Sequence, residues 1–167
     1  MDIMTEFGAR LPKVSWRTVR HSTFGFELPL PDDWKPTEDV PDCALVASGP
    51  EPDPGVFVPN LVVTVEPRDP DESFERWVTT SLQNLQQALD HVRVIDVEDT
   101  RIEGHQARRV LTHYRHASGG VNLEPWLVSA GEAGYVLSFS TSVGEYDSLY
   151  TITRAVAEGL RIGGALG

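Results

Sequence analysis

Three histidines, His105, His113 and His116, are the side chains here best suited to metal or general-base chemistry. His105 and His113 share parity on one predicted strand, with Arg109 between them. His113 and His116 stand three apart, so an extended backbone points them to opposite faces, and one metal takes both only if the strand bends. The spacing therefore favours solvent-face strand histidines over a ligand set. His91 falls at the end of a predicted helix, where a cation complements the negative end of the dipole. His21 has no evident partner in the sequence.

The carboxylates lead to the same place. Asp32, Asp33, Asp69 and Asp71 lie beside prolines or at a helix start, where turn and capping chemistry accounts for them. An acid–base pair needs one carboxyl held in a cleft with a raised pKa, and nothing in their local context supplies that. Asp96, Glu98 and Asp99 lack the spacing of an EF-hand loop. The Val/Ile alternation around them predicts a strand with Asp96 and Glu98 facing solvent. Cys43, the single cysteine, excludes an internal disulfide and reads as a buried thiol in the short strand Cys43-Ala44-Leu45-Val46-Ala47. Gly119-Gly120 has no GxxxxGK continuation, and neither a GxGxxG fingerprint, a G-x-S-x-G elbow nor an H-E-x-x-H pair occurs. The reading is non-enzymatic, with no catalytic residue, cofactor or metal.

The charge is unevenly placed. The net charge of −11 over 167 residues is matched by residues 27–75 alone, which carry thirteen acids and two bases. Residues 1–26 sum to +2 and residues 76–167 to −2. Such a field disfavours nucleic acid and anionic membrane and is compatible with a basic peptide or protein. No apolar run approaches membrane-spanning length, so no membrane insertion is expected. Asp2 and Glu6 interrupt the start where a leader would need an apolar stretch, which favours a cytoplasmic location.

The elements that would position these residues follow from periodicity. Residues 1–19 read as an arm or short helix docking through Leu11, Val14 and Trp16, residues 20–162 as one domain, and 163–167 as a tail. Phe24, Phe26, Leu28 and Leu30 alternate with Gly25, Glu27 and Pro29, which predicts a strand with one buried face. Pro31-Asp32-Asp33 turns the chain, and Trp34 packs back on the sheet. Residues 48–55 form an acidic Pro/Gly-rich loop, and Val56 to Val65 a central strand. Asp69, Pro70 and Glu72 mark a helix start. Phe74, Trp77, Val78, Leu82, Leu85 and Leu89 then make one apolar stripe to about His91. Four strands joined by tight turns follow, Val92–Arg101, Gln106–Tyr114, Val121–Ser129 and Tyr135–Thr141, an antiparallel meander because the turns are too short for parallel crossovers. Ser142 and Glu145 open a second helix that buries Tyr146, Leu149, Ile152 and Val156 and stops near Gly159. Leu160-Arg161-Ile162 completes an α+β chain, an antiparallel β-sheet flanked by amphipathic helices.

Trp34, Trp77, Trp126 and Tyr114 are the candidate ligand- or partner-binding residues. Trp77 lies on the helix stripe, and Trp126 follows Pro125 inside a strand pattern. That context predicts a bulge or edge with a partly exposed ring beside which a peptide docks. A free edge, the Cys43 strand or the Val121 strand, offers a route to a homodimer.

In order, the Phe24–Trp34 opening, Phe57 to Val65 with Asn60, the Glu103-Gly104-His105-Gln106-Ala107-Arg108 hairpin and Gly134 to Ser140 before the last helix resemble the PsbP-like α/β/α sandwich superfamily. Within it the chain is most similar to the bacterial DcrB/LpqN branch over residues 20–162. The resemblance implies a non-enzymatic accessory or interaction protein, chaperone-like in one bacterial group, that binds a protein or peptide in a sheet–helix groove. It carries over no catalytic residue. LpqN-like members are typically lipoproteins, a pattern from which this chain departs by lacking a lipobox. The alternative is a small apolar-ligand binder with Trp34, Trp77 and Trp126 around its pocket.

Overall fold

A computed structural model describes residues 14–162 of the chain. In chain order the strands are β1 (Trp16–Arg20), β2 (Glu27–Pro31), β3 (Lys35–Thr37), β4 (Leu45–Ser48) and β5 (Asn60–Pro67). Helix α1 (Phe74–Ala88) precedes the meander β6 (Arg93–Ile102), β7 (His105–His116), β8 (Gly119–Ala130) and β9 (Ala133–Ser142). A single 3-10 turn (Val143–Glu145) then leads into α2 (Tyr146–Glu158). Strands β1 and β2 pair as a separate antiparallel ribbon, and the other seven form one sheet in the order β3-β4-β5-β9-β8-β7-β6. The α+β class and the sandwich expected from the sequence are those observed.

Each central strand serves two cores, because successive side chains leave opposite faces of the pleat. On β8, Trp126 and Val128 enter one cluster and Leu127 the other. The larger core joins Leu45, Leu61, Leu137 and Phe139 of the sheet to Leu28 and Leu30 of the ribbon and Val156 of α2. The smaller sets Phe74, Trp77 and Val78 of α1 on Val110 and Leu127. The sheet is thus covered by α1 on one side, and by α2 with the β1–β2 ribbon on the other.

Local differences from the sequence reading have local causes. Helix α1 starts at Phe74 rather than near Pro70, because Ser73 caps it by accepting from the Arg76 N–H at 3.1 Å. Asp69 instead makes an Asx turn, its side chain accepting from the Asp71 N–H. Trp16 to Val19, read as part of an arm, form β1 together with Arg20 and pair with β2, while Leu11 lies outside the described residues. Phe24 sits in the ribbon's turn and is 43% exposed, so the first buried strand face is set by Phe26, Leu28 and Leu30. Cys43 precedes β4 and is half-buried rather than a strand core thiol.

The sheet's edges also need correction. They are β3 and β6, whereas β4, beside Cys43, lies one strand in and β8 is central. β6 is interrupted by a register shift between Val94 and Asp96, a bulge of the kind that discourages pairing at an open edge. At the other end of the chain Arg161 bridges to Glu27, which ties the segment after α2 to the ribbon.

Candidate functional site

A groove runs between α2 and the turn from β2 into β3. Pro31 to Trp34 form that turn, with the Trp34 N–H donating to the Pro31 carbonyl at 3.0 Å. Gly49 lies against the Trp34 indole and the Pro59 ring, and a side chain there would collide with Pro59. Loop 48–55 therefore runs close beside the indole, and Pro50 completes one wall. Leu149 and Ile152 of α2, three residues apart on one helix face, form the opposite wall. The concavity is about 460 Å³, mainly apolar, with Asp32 and Asp33 at its rim.

Beside α2 on the same side of the sheet lies a buried charge cluster. Arg109 donates to Glu124 Oε2 at 3.1 Å and to Asp96 Oδ2 at 2.9 Å. Glu124 also accepts from the Trp126 indole at 3.1 Å and the Tyr146 hydroxyl at 2.7 Å, so α2 is fastened to the sheet through its first residue. Burial pushes the Tyr146 phenol up, and its bond to Glu124 adds to the rise. Arg154 of α2 forks onto Glu98 at 2.6 and 3.1 Å and lies over the Trp126 ring. Hydrogen bonds from Arg109 and Arg154 hold the Asp96 and Glu98 carboxyls below their ordinary range. These two acids, expected to face solvent freely, are thus the outer partners of an arginine cluster. An arginine and a glutamate on consecutive strands, fifteen residues apart, carried no signal that they would meet inside.

The candidate residues are not brought together. Trp34 is buried beside the groove. Trp77 is held on the α1 side by Glu66, which accepts its indole N–H at 2.6 Å. Trp126 is fully buried in the sheet centre, which corrects the expectation of a partly exposed ring at an edge. The β7–β8 pairing breaks between Arg109↔Trp126 and Thr112↔Leu123, so Pro125 stands where no ladder donor is used and needs no edge. Tyr114 is on β7 and half-buried, and burial raises its phenol pKa.

The histidines are dispersed as well. His105 opens β7 and His113 lies eight residues further along it, roughly 26 Å away at strand rise. His116 bonds to Ser118 and meets the Phe57 ring edge-on. His21, which showed no partner in sequence, is buried and fully engaged. Its Nδ1 accepts from the Thr23 and Phe24 N–H groups, so its Nε2–H donates to the Ala44 carbonyl at 2.8 Å. Among the described residues no three His, Cys, Asp or Glu side chains gather to hold a metal ion. No helix among the described residues is long and apolar enough to cross a membrane.

No protein-family model matches the chain, and no curated protein matches it. Solved structures do share its fold. Cyanobacterial PsbP (CyanoP) from Synechocystis superposes with a TM-score of 0.67 at 13% identity, over 92% of this chain and 95% of that one. LpqN, involved in cell envelope biogenesis of Mycobacterium tuberculosis, gives 0.62 at 16% identity over 96% of each chain. The Ran-binding protein Mog1p of Saccharomyces cerevisiae gives 0.66 at 10% identity, over 90% of this chain and 96% of that one. The fold is therefore the PsbP-like and LpqN-like sandwich that the motif order resembles. The cytoplasmic expectation is overturned by the same likeness. It rested on two acidic residues near the first methionine, and the fold is shared with LpqN, a protein of cell-envelope biogenesis.

Proposed function

We propose that this chain is a non-enzymatic accessory protein that binds a protein or peptide in the groove between α2 and the β2–β3 turn. The observation that carries the reading is the groove itself: Trp34, Leu149 and Ile152 form apolar walls under an acidic rim of Asp32 and Asp33. An apolar anchor side chain flanked by basic residues matches that surface, the anchor supplying affinity and the rim orientation. The acidic block at residues 27–75, from which the rim is drawn, adds a field that speeds the approach of such a partner. A structural neighbour that is a Ran-binding protein supports the same reading.

The test is a photo-crosslinking residue at position 149, with position 79 on the exposed face of α1 as the control. A defined protein captured from native extract at 149 and not at 79, and competed by unlabelled chain but not by its L149E/I152E form, supports the reading. The same proteins at both positions, or nothing above background at 149, overturns it.

A second reading is favoured by one measurement. The 460 Å³ of the groove falls within the range of small-molecule sites, so an apolar ligand held beside Trp34 is the alternative. Trp77 and Trp126 take no part in it: Trp77 packs in the α1 core on the other face of the sheet, and Trp126 is fully buried in the core beneath α2. Native mass spectrometry of the chain purified without detergent separates the two readings by whether a small apolar mass accompanies it.

A further inference from the structure

A second concavity, at the β6 edge of the sheet and so across it from β3, has the opposite character. It measures about 280 Å³ and is lined by His91, Arg93, His113 and Arg115. The fold builds it deliberately from three directions. Arg93 opens β6 and is the register partner of His113 on β7. Arg115 follows two residues later and so leaves the same face of β7 as His113. His91 arrives from α1 through a left-handed backbone (φ 53), which turns the chain into β6 and brings the ring to the same hollow. Asn122 on β8 steadies His113, with Nδ1 and Oδ1 3.2 Å apart. Gly120, the register partner of Arg115, leaves room for that ring, since a Cβ there would stand 2.8 Å from His113 Cε1.

No carboxylate lines this hollow, and among the described residues neither the Arg93 nor the Arg115 side chain has an ion pair. The contrast with β7's other arginines is sharp: Arg108 and Arg109 are each saturated by two or more carboxylates. In a chain of net charge −11, two unneutralised guanidinium groups and two imidazoles lining one hollow form a local sink for an anion.

We propose that His91, Arg93, His113 and Arg115 form a binding site for a phosphate group. Two fixed positive charges match a phosphate monoester, which carries about −1.5 to −2 near neutral pH, better than they match one carboxylate. Guanidinium forks engage phosphate oxygens in pairs, leaving a further oxygen for an imidazole N–H. The phosphate has two sources, a soluble molecule or a lipid headgroup, and the chemistry of the site is the same for both.

The test is a two-dimensional NMR titration of the whole chain with inorganic phosphate against chloride at matched ionic strength. Saturable shifts centred on 91–93 and 113–115 are expected, weakened about tenfold or more in R93Q/R115Q, since each charge-assisted bond lost counts heavily. R101Q, which removes an arginine bonded to the Gly104 carbonyl and outside the hollow, should titrate like the parent. Co-sedimentation with phosphatidylcholine vesicles carrying phosphatidic acid forms the second arm. Pelleting lost in R93Q/R115Q assigns the phosphate to a headgroup, and a saturable response to free phosphate without pelleting assigns it to a soluble molecule. Shifts that are non-saturating, equal in chloride or unchanged in R93Q/R115Q, together with no variant-sensitive pelleting, overturn the proposal. Circular dichroism of R93Q/R115Q shows whether the fold is kept, and if it is not, R93K/R115K replaces it: a lysine pair keeps the charge and loses the fork, so weakened phosphate binding is still expected.

Discussion

Arg109 and Glu124 meet across neighbouring strands, Nε to Oε2 at 3.1 Å, with side chains only 5% and 2% exposed. A charge pair this deep recovers its desolvation cost only through additional hydrogen bonds, and Glu124 has them from Trp126 and Tyr146. Removing one member leaves the other charged and buried. Glu124→Leu and Arg109→Met should each cost about 3–5 kcal/mol of unfolding free energy. The double variant Arg109→Met with Glu124→Leu should lose clearly less than the two single losses added, because it leaves no orphan charge. Urea denaturation of the four proteins in this cycle measures the coupling, and strict additivity would show that the pair does not act as a unit.

The carboxylates paired with arginines of β7 and α2 set an acid limit. Glu75, Asp96 and Glu98 are held below the ordinary values of 4.5 for Glu and 3.8 for Asp by hydrogen bonds from Arg108, Arg109 and Arg154 respectively. A folded pKa below the unfolded one means stability that is complete above the unfolded value and lost as pH falls through the folded one. Stability should therefore decline as pH falls below these ordinary carboxylate values, and Arg154→Met should flatten part of that slope. Chemical denaturation at a series of pH values reads it directly. A variant profile parallel to the parent would mean that Glu98 gains nothing from Arg154.

How much of this was legible in the sequence differs by type of feature. The two helices and the four-strand meander were readable because their signals are local: apolar spacing of three and four for α1, and short Gly-containing turns such as Glu103-Gly104 and Gly131 for β6 to β9. The state of a side chain at the centre of the sheet was not, because it depends on which strands flank it. Pro125 suggested an edge, yet β8 is central and the proline sits at a gap in the ladder. Arg109 and Glu124 are both charged and fifteen residues apart, and only the β7–β8 register brings them together. Of the groove, Trp34 with Asp32 and Asp33 was visible as an aromatic after a turn. Its opposite wall comes from Leu149 and Ile152, more than a hundred residues later.

The α1 side is governed by one close approach. Gly134 on β9 lies directly beneath the Trp77 indole, and a Cβ at that position would collide with the ring. The indole is fixed from two other directions, by Glu66 at 2.6 Å and by the Arg68 guanidinium stacked 5.0 Å from the ring centre. It therefore has little freedom to retreat. Gly134→Ala should cost about 1–3 kcal/mol, the usual price of overpacking a filled core. Trp77→Phe in the same background should recover part of the loss by removing the ring that collides. Thermal denaturation of the single and double variants tests this, and an unchanged Gly134→Ala midpoint would mean that α1 rides freely on the sheet.

The groove makes its own prediction without a known partner. Leu149 and Ile152 are half-buried on α2, whereas the residues that fasten α2 to the core are Thr153, Val156 and Ala157. Placing glutamates at 149 and 152 should thus leave the fold intact, with a stability change well below the about 2–5 kcal/mol typical of truncating a buried leucine. The same change puts two charges on one wall of the concavity, beside the Asp32 and Asp33 rim. The dye bis-ANS, which brightens in apolar clefts, should bind the parent with a saturable component that is lost in L149E/I152E. Its emission should also draw energy from Trp34 at the groove floor, so Trp34→Phe should reduce the transfer while keeping the binding. Equal dye binding by parent and L149E/I152E would place the accessible apolar surface elsewhere, and the exposed Val94, Ile95 and Val97 of β6 would then be the region to probe.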